Sequence, residues 1–260
     1  YIKDRSFGVF AVHSPISDHT EKLSDAAWIK LLCTCDQKKK QARQHWYTDG
    51  KDSSPEQFAL SFQNAMSAEP QRFLKIIKQL PNTIENCYIA AILRTIEEAT
   101  VFNSLPFDEL VSAIQYFSGD FDTESDMSVS TAFCEILRNH ALTPWPANFY
   151  ERLCFLARFH SNPSPEQYAL TSHDDPNHSS SESLAGNSLN CVRGYAFYAI
   201  SNVLKEHPDL ETVFFDVLQQ GLLDPHPAVR YSLMDCLCQV YSINQELACN
   251  WFCALLEQDI

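Results

Sequence analysis

Apolar residues in this sequence recur at the spacing of an α-helix, in segments that stop where a proline or a cluster of capping residues interrupts them. Ser54-Pro55-Glu56 supplies an N-cap, a proline at the first helical position and an acidic first turn. Pro70 and Pro81 each mark the end of an apolar pattern, because proline cannot continue a helix. The 260 residues include only 6 glycines, and alternating β-type runs are few. The sequence therefore predicts an all-α protein.

Most predicted helices are short and closely connected. The first begins at about residue 24, and the others cover about 54–68, 70–80, 84–99, 106–118, 126–140, 146–160, 187–206, 209–221, 227–242 and 244–258. One connection, 161–186, is long and rich in Ser, Pro, Asn and Asp, with hardly any large apolar side chain. We predict that this segment is an exposed insertion, because it is too polar to pack.

Two stretches in the last third of the sequence are similar to each other. Residues 187–204 align with 224–241 at an offset of 37 residues, which superimposes Val192-Arg193 on Val229-Arg230. The helices that follow also correspond, as 208–220 and 244–257. Self-similarity of this period is typical of stacked helical repeats, so we predict that Val192 and Val229 are equivalent core residues.

Polar residues precede each of these valines by five positions. Asn187 and Asp224 can either cap a helix or accept a hydrogen bond from an arginine of the neighbouring repeat. Arg193 and Arg230 are placed to lie along the seam between repeats, where a planar guanidinium can bond the adjacent turn.

The pattern Asp224-Pro225-x-Pro227-x-Val229-Arg230, followed by an apolar helix, resembles the HEAT repeat. The resemblance implies an α-solenoid of stacked antiparallel helix pairs, HEAT/ARM-like, with about six pairs in one continuous array. Residues 1–160 would be degenerate helical repeats, 161–186 the polar insertion and 187–260 two HEAT-like repeats. Because the first residue is Tyr and no signal peptide is evident, we expect a fragment of a longer chain.

The order of segments is also similar, more loosely, to the helical-repeat regions of large bacterial STAND-type NTPases, some of which act in antiphage immunity. The stretches concerned are Ser54-Pro-Glu-Gln-Phe, Glu69-Pro-Gln-Arg-Phe, the polar insertion and Asn187-Ser-Leu-Asn-Cys-Val-Arg-Gly. The sequence has no G-x-x-x-x-G-K-[ST] motif, so nucleotide binding would belong to a part of the parent protein that is not present here.

Charge and hydropathy exclude several kinds of partner. A net charge of −14 and a pI near 5.0 argue against nucleic acid, whose binding proteins carry clustered Lys and Arg. No apolar window is long enough to span a membrane, so we expect no membrane partner. The 10 cysteines lie mostly within apolar helical stretches, which favours a reducing, cytoplasmic location over a disulfide scaffold.

The most metal-like cluster is His173-Asp174-Asp175-Pro-Asn-His178. Because it lies in the polar insertion rather than on a rigid frame, we interpret it as a solvated loop, with a weak metal site or a recognition loop as the alternative. Cys236 and Cys238 are two residues apart on one helix and point in nearly opposite directions, so they cannot share an ion. We predict no metal and no cofactor.

Aromatic residues are the candidates for binding. Tyr195 and Tyr198, beside Arg193, and Trp145, between two prolines, could face a concave surface, although core packing is the alternative for all three.

The sequence thus favours a non-catalytic protein–protein interaction scaffold, or a ligand-sensing solenoid of a larger protein, over an enzyme. The resemblance to STAND-type NTPases implies that it is the sensor region of a bacterial immune NTPase. Two alternatives stay open: a HEAT-like nucleic-acid-processing enzyme, and a metal-dependent hydrolase that uses the 173–178 cluster. The sequence leaves the oligomeric state open.

Overall fold

A computed structural model describes residues 22–42, 55–119, 124–164 and 180–257. In these ranges the protein is all-α, without a strand, and no helix has the length and hydropathy needed to cross a bilayer. A 3₁₀ turn, Pro208–Leu210, precedes α11. The helices are α1 Asp25–Ala42, α2 Pro55–Ala68, α3 Pro70–Ile77, α4 Asn86–Glu97, α5 Ala99–Phe102, α6 Phe107–Ser118, α7 Met127–Asn139, α8 Ala147–Phe159, α9 Ser180–Leu189, α10 Val192–Glu206, α11 Glu211–Gly221, α12 Pro227–Ile243 and α13 Gln245–Leu256.

The local signals in the sequence explain where the helices begin. Pro55, Pro70 and Pro227 each occupy the first position of their helix, where the missing N–H costs nothing. The Asp126 carboxylate accepts a hydrogen bond of 2.9 Å from the Ser128 N–H, and the Asn244 side chain accepts one of 3.1 Å from the Leu247 N–H. The prediction of an all-α chain is confirmed for the described residues.

The chain divides into two compact units, Tyr1–Ala113 and Ile114–Ile260. In the first unit, α2 packs against α3 and α4, and α1 packs against α3. An aromatic cluster fills its core: the Trp28 ring stacks on Phe58 at a centroid distance of 5.8 Å and meets the edges of Phe62 and Phe73 at 5.6 and 5.5 Å. Tyr88 of α4 completes the cluster against Phe58 at 5.6 Å, and all five side chains are buried. These rings hold the four helices together.

In the second unit the helices form two rows. The first row contains α7, α10 and α12, with α10 packed against both neighbours. In the second row, α8 and α11 meet through the Tyr150 and Phe214 rings at 5.9 Å, and α11 and α13 meet through Phe215 and Trp251 at 5.4 Å. The rows are joined by contacts of α8 with α10, of α11 with α12 and of α12 with α13.

A glycine permits the closest approach between the rows. Gly221 ends α11, and a Cβ atom at this position would lie 2.5 Å from Cζ of Phe197. Any side chain at 221 would therefore displace Phe197, a fully buried ring of α10.

The structure differs from the predictions around residue 190. One helix was expected over 187–206, but α9 ends at Leu189 and α10 begins at Val192. Residues 180–186, assigned to the exposed insertion, belong to α9, whose Leu184 is buried and which packs against α10 and α12. A single buried leucine among serines does not produce a recognisable apolar pattern, so the sequence did not reveal this helix. Residues 165–179 of the predicted insertion lie outside the described residues.

Replacing Phe62 by Ala should lower the free energy of unfolding by about 3–5 kcal/mol, because it leaves a cavity beneath Trp28. Leu60→Ala on the same helix is the matched control and should change it by no more than about 0.5 kcal/mol, since Leu60 is 51% exposed. Urea unfolding followed by tryptophan fluorescence measures both. Equal effects of the two substitutions would contradict the assigned core.

Candidate functional site

A buried ion pair joins α10 to the turn that precedes α12. Nε and Nη2 of Arg193 donate hydrogen bonds to the two carboxylate oxygens of Asp224, at 2.9 and 3.1 Å. Both side chains are about nine-tenths buried. The third contact of the guanidinium is a bond of 2.8 Å from Nη1 to the His160 carbonyl. Arg193 thus connects the end of α8 with the start of α12.

Asp224 also organises the turn in which it lies. Its Oδ1 accepts the His226 N–H at 2.8 Å, and its backbone carbonyl accepts Nη1 of Arg230 at 2.7 Å. Of the two roles that the sequence allowed for Asp224, the structure shows acceptance from an arginine of another helix, Arg193 of α10. The N-cap of α12 is His226, whose Nδ1 accepts the Ala228 N–H at 3.2 Å. Val192 and Val229 are both fully buried, as their equivalence predicted.

Asn187 does not have the role that its alignment with Asp224 suggested. It lies within α9 and is not the cap of α10. Asn162 takes the capping role instead: its Oδ1 accepts the Val192 N–H at 2.8 Å, and its carbonyl accepts the Arg193 N–H at 3.2 Å. Sequence reasoning missed Asn162 because it is 30 residues from Val192 and belongs to no repeat pattern.

His160 occupies the C-cap of α8. The side chain is 3% exposed, and burial lowers its pKa, assisted by the positive charges of Arg152 and Arg193. Its Nδ1 accepts the Asn162 N–H at 3.0 Å, so in the neutral ring Nε2 carries the proton and donates to the Ser125 carbonyl at 3.0 Å. The helix dipole by itself would favour a charged histidine at the end of α8, but burial outweighs it.

The hydrogen bonds continue from His160 towards α6. Arg152, which is 1% exposed, donates from Nη2 to the Ser118 carbonyl at 3.2 Å and to Oγ of Ser125 at 2.7 Å. We call the chain of contacts through Arg152, Ser125, His160, Arg193 and Asp224 the polar seam. Because its members are buried or half-buried and bonded to one another, the seam fixes the positions of helices rather than presenting free polar groups for binding.

A second cluster lies at the surface of the first row of helices. Arg138 of α7 places its guanidinium carbon 5.7 Å from the centroid of the Tyr195 ring and 6.0 Å from that of Tyr198. The hydroxyl of Tyr195 donates to a carboxylate oxygen of Glu135 at 3.2 Å, and the hydroxyls of Tyr198 and Ser188 are 2.8 Å apart. We call Glu135, Arg138, Tyr195 and Tyr198 the tyrosine–arginine surface. All four side chains are half-buried, so each keeps a part that a partner could contact.

The two tyrosines of this surface remain protonated at neutral pH. Burial raises the pKa of Tyr195, with a further contribution from the negative charge of Glu135. Burial also raises the pKa of Tyr198, and Asp235 adds to the effect. Their hydroxyls are therefore hydrogen-bond donors. The sequence indicated the tyrosines, but no spacing in the sequence could have indicated that Arg138 and Glu135 join them.

Trp145 is not part of that surface. It is 4% exposed, stacks on Phe149 at a centroid distance of 5.3 Å, and donates from Nε1 to the His140 carbonyl at 3.1 Å. Of the two roles considered for Trp145, binding and core packing, the structure shows core packing. His173 and His178 lie outside the described residues, so their assignment to a binding or metal site stays a prediction.

Some of the described cysteines pack as buried apolar side chains, and others are exposed. Cys236 is buried and its Sγ lies 3.1 Å from the Phe197 carbonyl, whereas Cys238 is exposed on the other side of α12. Burial raises the pKa of Cys191 to about 11, which keeps its thiol protonated. In the part of the chain that the structure describes, no group of three or more His, Cys, Asp or Glu side chains is arranged to hold a metal ion.

The described residues define an all-helical protein in which a polar seam ties helices together and tyrosines lie beside an arginine at the surface. Comparison of the chain with protein-family models, with curated proteins and with solved structures finds no match.

Asp224→Asn should lower the free energy of unfolding by about 3 kcal/mol, because it leaves the buried Arg193 charge without its counter-ion. Lys205→Ala, which breaks the exposed pair between Lys205 and Glu206, is the control and should cost less than about 0.5 kcal/mol. Chemical denaturation of both variants measures the difference. A loss below 1 kcal/mol for Asp224→Asn would contradict the proposed importance of the pair.

His160 should make stability fall as the pH is lowered below about 6.5, the pKa of histidine in an unfolded chain. Its pKa in the folded protein lies below that value, so the unfolded state binds the proton more readily; the contribution is complete above pH 6.5 and is lost as the pH falls through the folded pKa. Unfolding free energies at several pH values between about 5 and 7.5 should show a shallower dependence in His160→Gln.

Glu124→Gln is the control for the pH experiment. Hydrogen bonds from Ser161 lower the pKa of Glu124, so this carboxylate titrates below the measured range. Because the charge of Glu124 raises the pKa of His160, its removal should leave a pH dependence at least as steep as that of the wild type. A slope that His160→Gln leaves unchanged would assign the pH dependence to other histidines.

Proposed function

We propose that this chain is a stretch of α-solenoid that recognises another protein, and that it has no catalytic activity of its own. It would act as an interaction scaffold or as the ligand-sensing region of a larger protein. The observation that carries this proposal is the tyrosine–arginine surface, in which an arginine and two tyrosines from successive helices of one row lie side by side.

The solenoid arrangement is supported by the two rows of helices in the second unit. Each row contains alternate helices, α7, α10 and α12 in the first and α8, α11 and α13 in the second, ignoring the added α9. The Arg193–Asp224 pair lies between two successive helix pairs, as expected for a repeat signature at an inter-repeat seam. The stretch 224–230 resembles the HEAT repeat, and this resemblance supports the same proposal.

Recognition is supported by the kinds of residue on this surface. Tyrosine and arginine are enriched among the residues that dominate the binding energy of protein interfaces, since each presents a large contact area and a polar end. Here the rings and the guanidinium already support one another, so little side-chain freedom would be lost on binding. The net charge of −14 favours a partner with a basic or mixed surface over a nucleic acid.

The more specific proposal is that the parent protein is a bacterial immune NTPase and this region its sensor. It rests on the looser resemblance of the segment order, and any nucleotide-binding motif would lie elsewhere in that parent. Binding of a ligand to the solenoid would then change the conformation of a separate switch domain.

A photo-crosslinking amino acid at position 198 tests the recognition proposal. In cells that produce the chain, we expect a discrete covalent adduct from position 198, and none from position 213, which is 44% exposed on α11 of the other row. Arg138→Ala should reduce the adduct about 10-fold or more, as expected for a residue at an interface hot spot, while the melting temperature stays within a few degrees. Equal adducts from both positions, or an adduct that Arg138→Ala does not reduce, would overturn the proposal.

A further inference from the structure

An apolar groove lies between α12 and α13. Its volume is about 680 Å³, and its lining includes Met234, Leu237, Cys238 and Tyr241 of α12, and Phe252 and Cys253 of α13. Tyr241 and Phe252 are 49% and 41% exposed, although both are large apolar side chains. We call this the α12–α13 groove. Such a concentration of exposed aromatic surface is typical of a binding site.

The internal repeat indicates what kind of structure fits there. At the offset of 37 residues, Met234, Leu237, Cys238 and Tyr241 correspond to four residues of α10. Those residues are Phe197, Ile200, Ser201 and Leu204, which are 0%, 0%, 5% and 1% exposed.

The helix α12 covers this face of α10. Oγ of Ser201 donates to the Asp235 carbonyl at 3.0 Å, and Sγ of Cys236 lies 3.1 Å from the Phe197 carbonyl. In α10, therefore, the face equivalent to the groove is occupied by a packed helix. The matching face of α12 has the same register of side chains and presents them to a groove.

The charge of the groove indicates the character of its occupant. Asp235 is the one charged side chain among the residues that line the groove in the described part of the chain. Partial burial raises the pKa of its carboxyl group, and the positive charge of Arg138 opposes the shift. A further cation brought close to Asp235 would stabilise the carboxylate, whereas an acidic group would be repelled.

We propose that the α12–α13 groove binds an amphipathic α-helix of a partner protein, with the apolar face of that helix on Met234, Tyr241 and Phe252 and a lysine or arginine against Asp235. This inference extends the proposed recognition function to a second surface. Its experiment reads thiols of the groove rather than the tyrosine–arginine surface, so the two proposals can fail separately.

Protection of cysteines from alkylation tests the proposal. Cys238, Cys249 and Cys253 line the groove and are exposed, while Cys33 of α1 is equally exposed and serves as the internal control. The probe is a synthetic amphipathic helix of 17 residues, the length of α12, with a Leu/Ala face and one central Lys. We expect it to slow the reaction of the groove thiols with N-ethylmaleimide about 10-fold or more at saturation, and to leave Cys33 unchanged.

A charge exchange at Asp235 tests the polar contact. A matched peptide with Glu in place of the central Lys should bind the wild-type chain at least about 10-fold more weakly, and Asp235→Lys should reverse this preference. The Asp235 side chain is exposed, so the substitution should preserve the fold. If Asp235→Lys does not fold, Asp235→Asn provides the second variant and should bind both peptides with similar affinity.

Three results would overturn the proposal. The first is no protection by the Lys peptide at millimolar concentration, and the second is equal protection by both peptides whatever residue occupies 235. The third is that the groove thiols are unreactive before any peptide is added, because the face is then covered by a further segment of the same polypeptide or by a second copy. Dependence of that protection on protein concentration would identify the second copy.

Discussion

The second unit of this protein depends on the bidentate contact between Arg193 and Asp224. A guanidinium buried to this degree requires a counter-ion, and Asp224 can supply one only if the turn before α12 stays close to α10. The same arginine bonds the His160 carbonyl, so a single side chain sets the spacing of three helices. Two neighbouring residues complete this frame. Asn162 caps α10, and the His160 ring must be neutral to accept the Asn162 N–H. The apolar core is packed around this fixed frame.

The polar seam and the tyrosine–arginine surface differ in how their polar side chains are hydrogen-bonded. Groups in the seam are paired with one another, which consumes their capacity to bind anything else. Arg138 instead lies between two tyrosine rings at the surface, where its contacts leave part of each side chain available. The proposed recognition and the stability of the polar seam thus depend on different arginines, so we expect that Arg138 can be altered without breaking the fold.

The repeat pattern predicted residues more successfully where both ends of a contact lay within it. Val192, Val229, Arg193 and Asp224 were identified from their alignment, and the structure places them in the core or at the seam. Asn162, His160 and Arg138 were missed in these roles, because their partners are separated from them by stretches that share no pattern. Trp145 was considered both as a binding residue and as a packing residue, and the structure shows that it packs on Phe149. The helix α9 was hidden because one buried leucine does not make a periodic signal.

The sequence by itself determined most of the helices, since proline positions, caps and apolar spacing act within a few residues of chain. It also determined that α10 and α12 share a Val-Arg pair near their N-termini, because the repeat is visible in the sequence. Only the tertiary structure decided which polar groups are buried together, which tyrosines meet an arginine, and which face of α12 is left as a groove. Many of these properties depend on contacts between residues that are far apart in the sequence, such as Asn162 with Val192 and Arg193 with Asp224, and such contacts are set by packing rather than by local propensity.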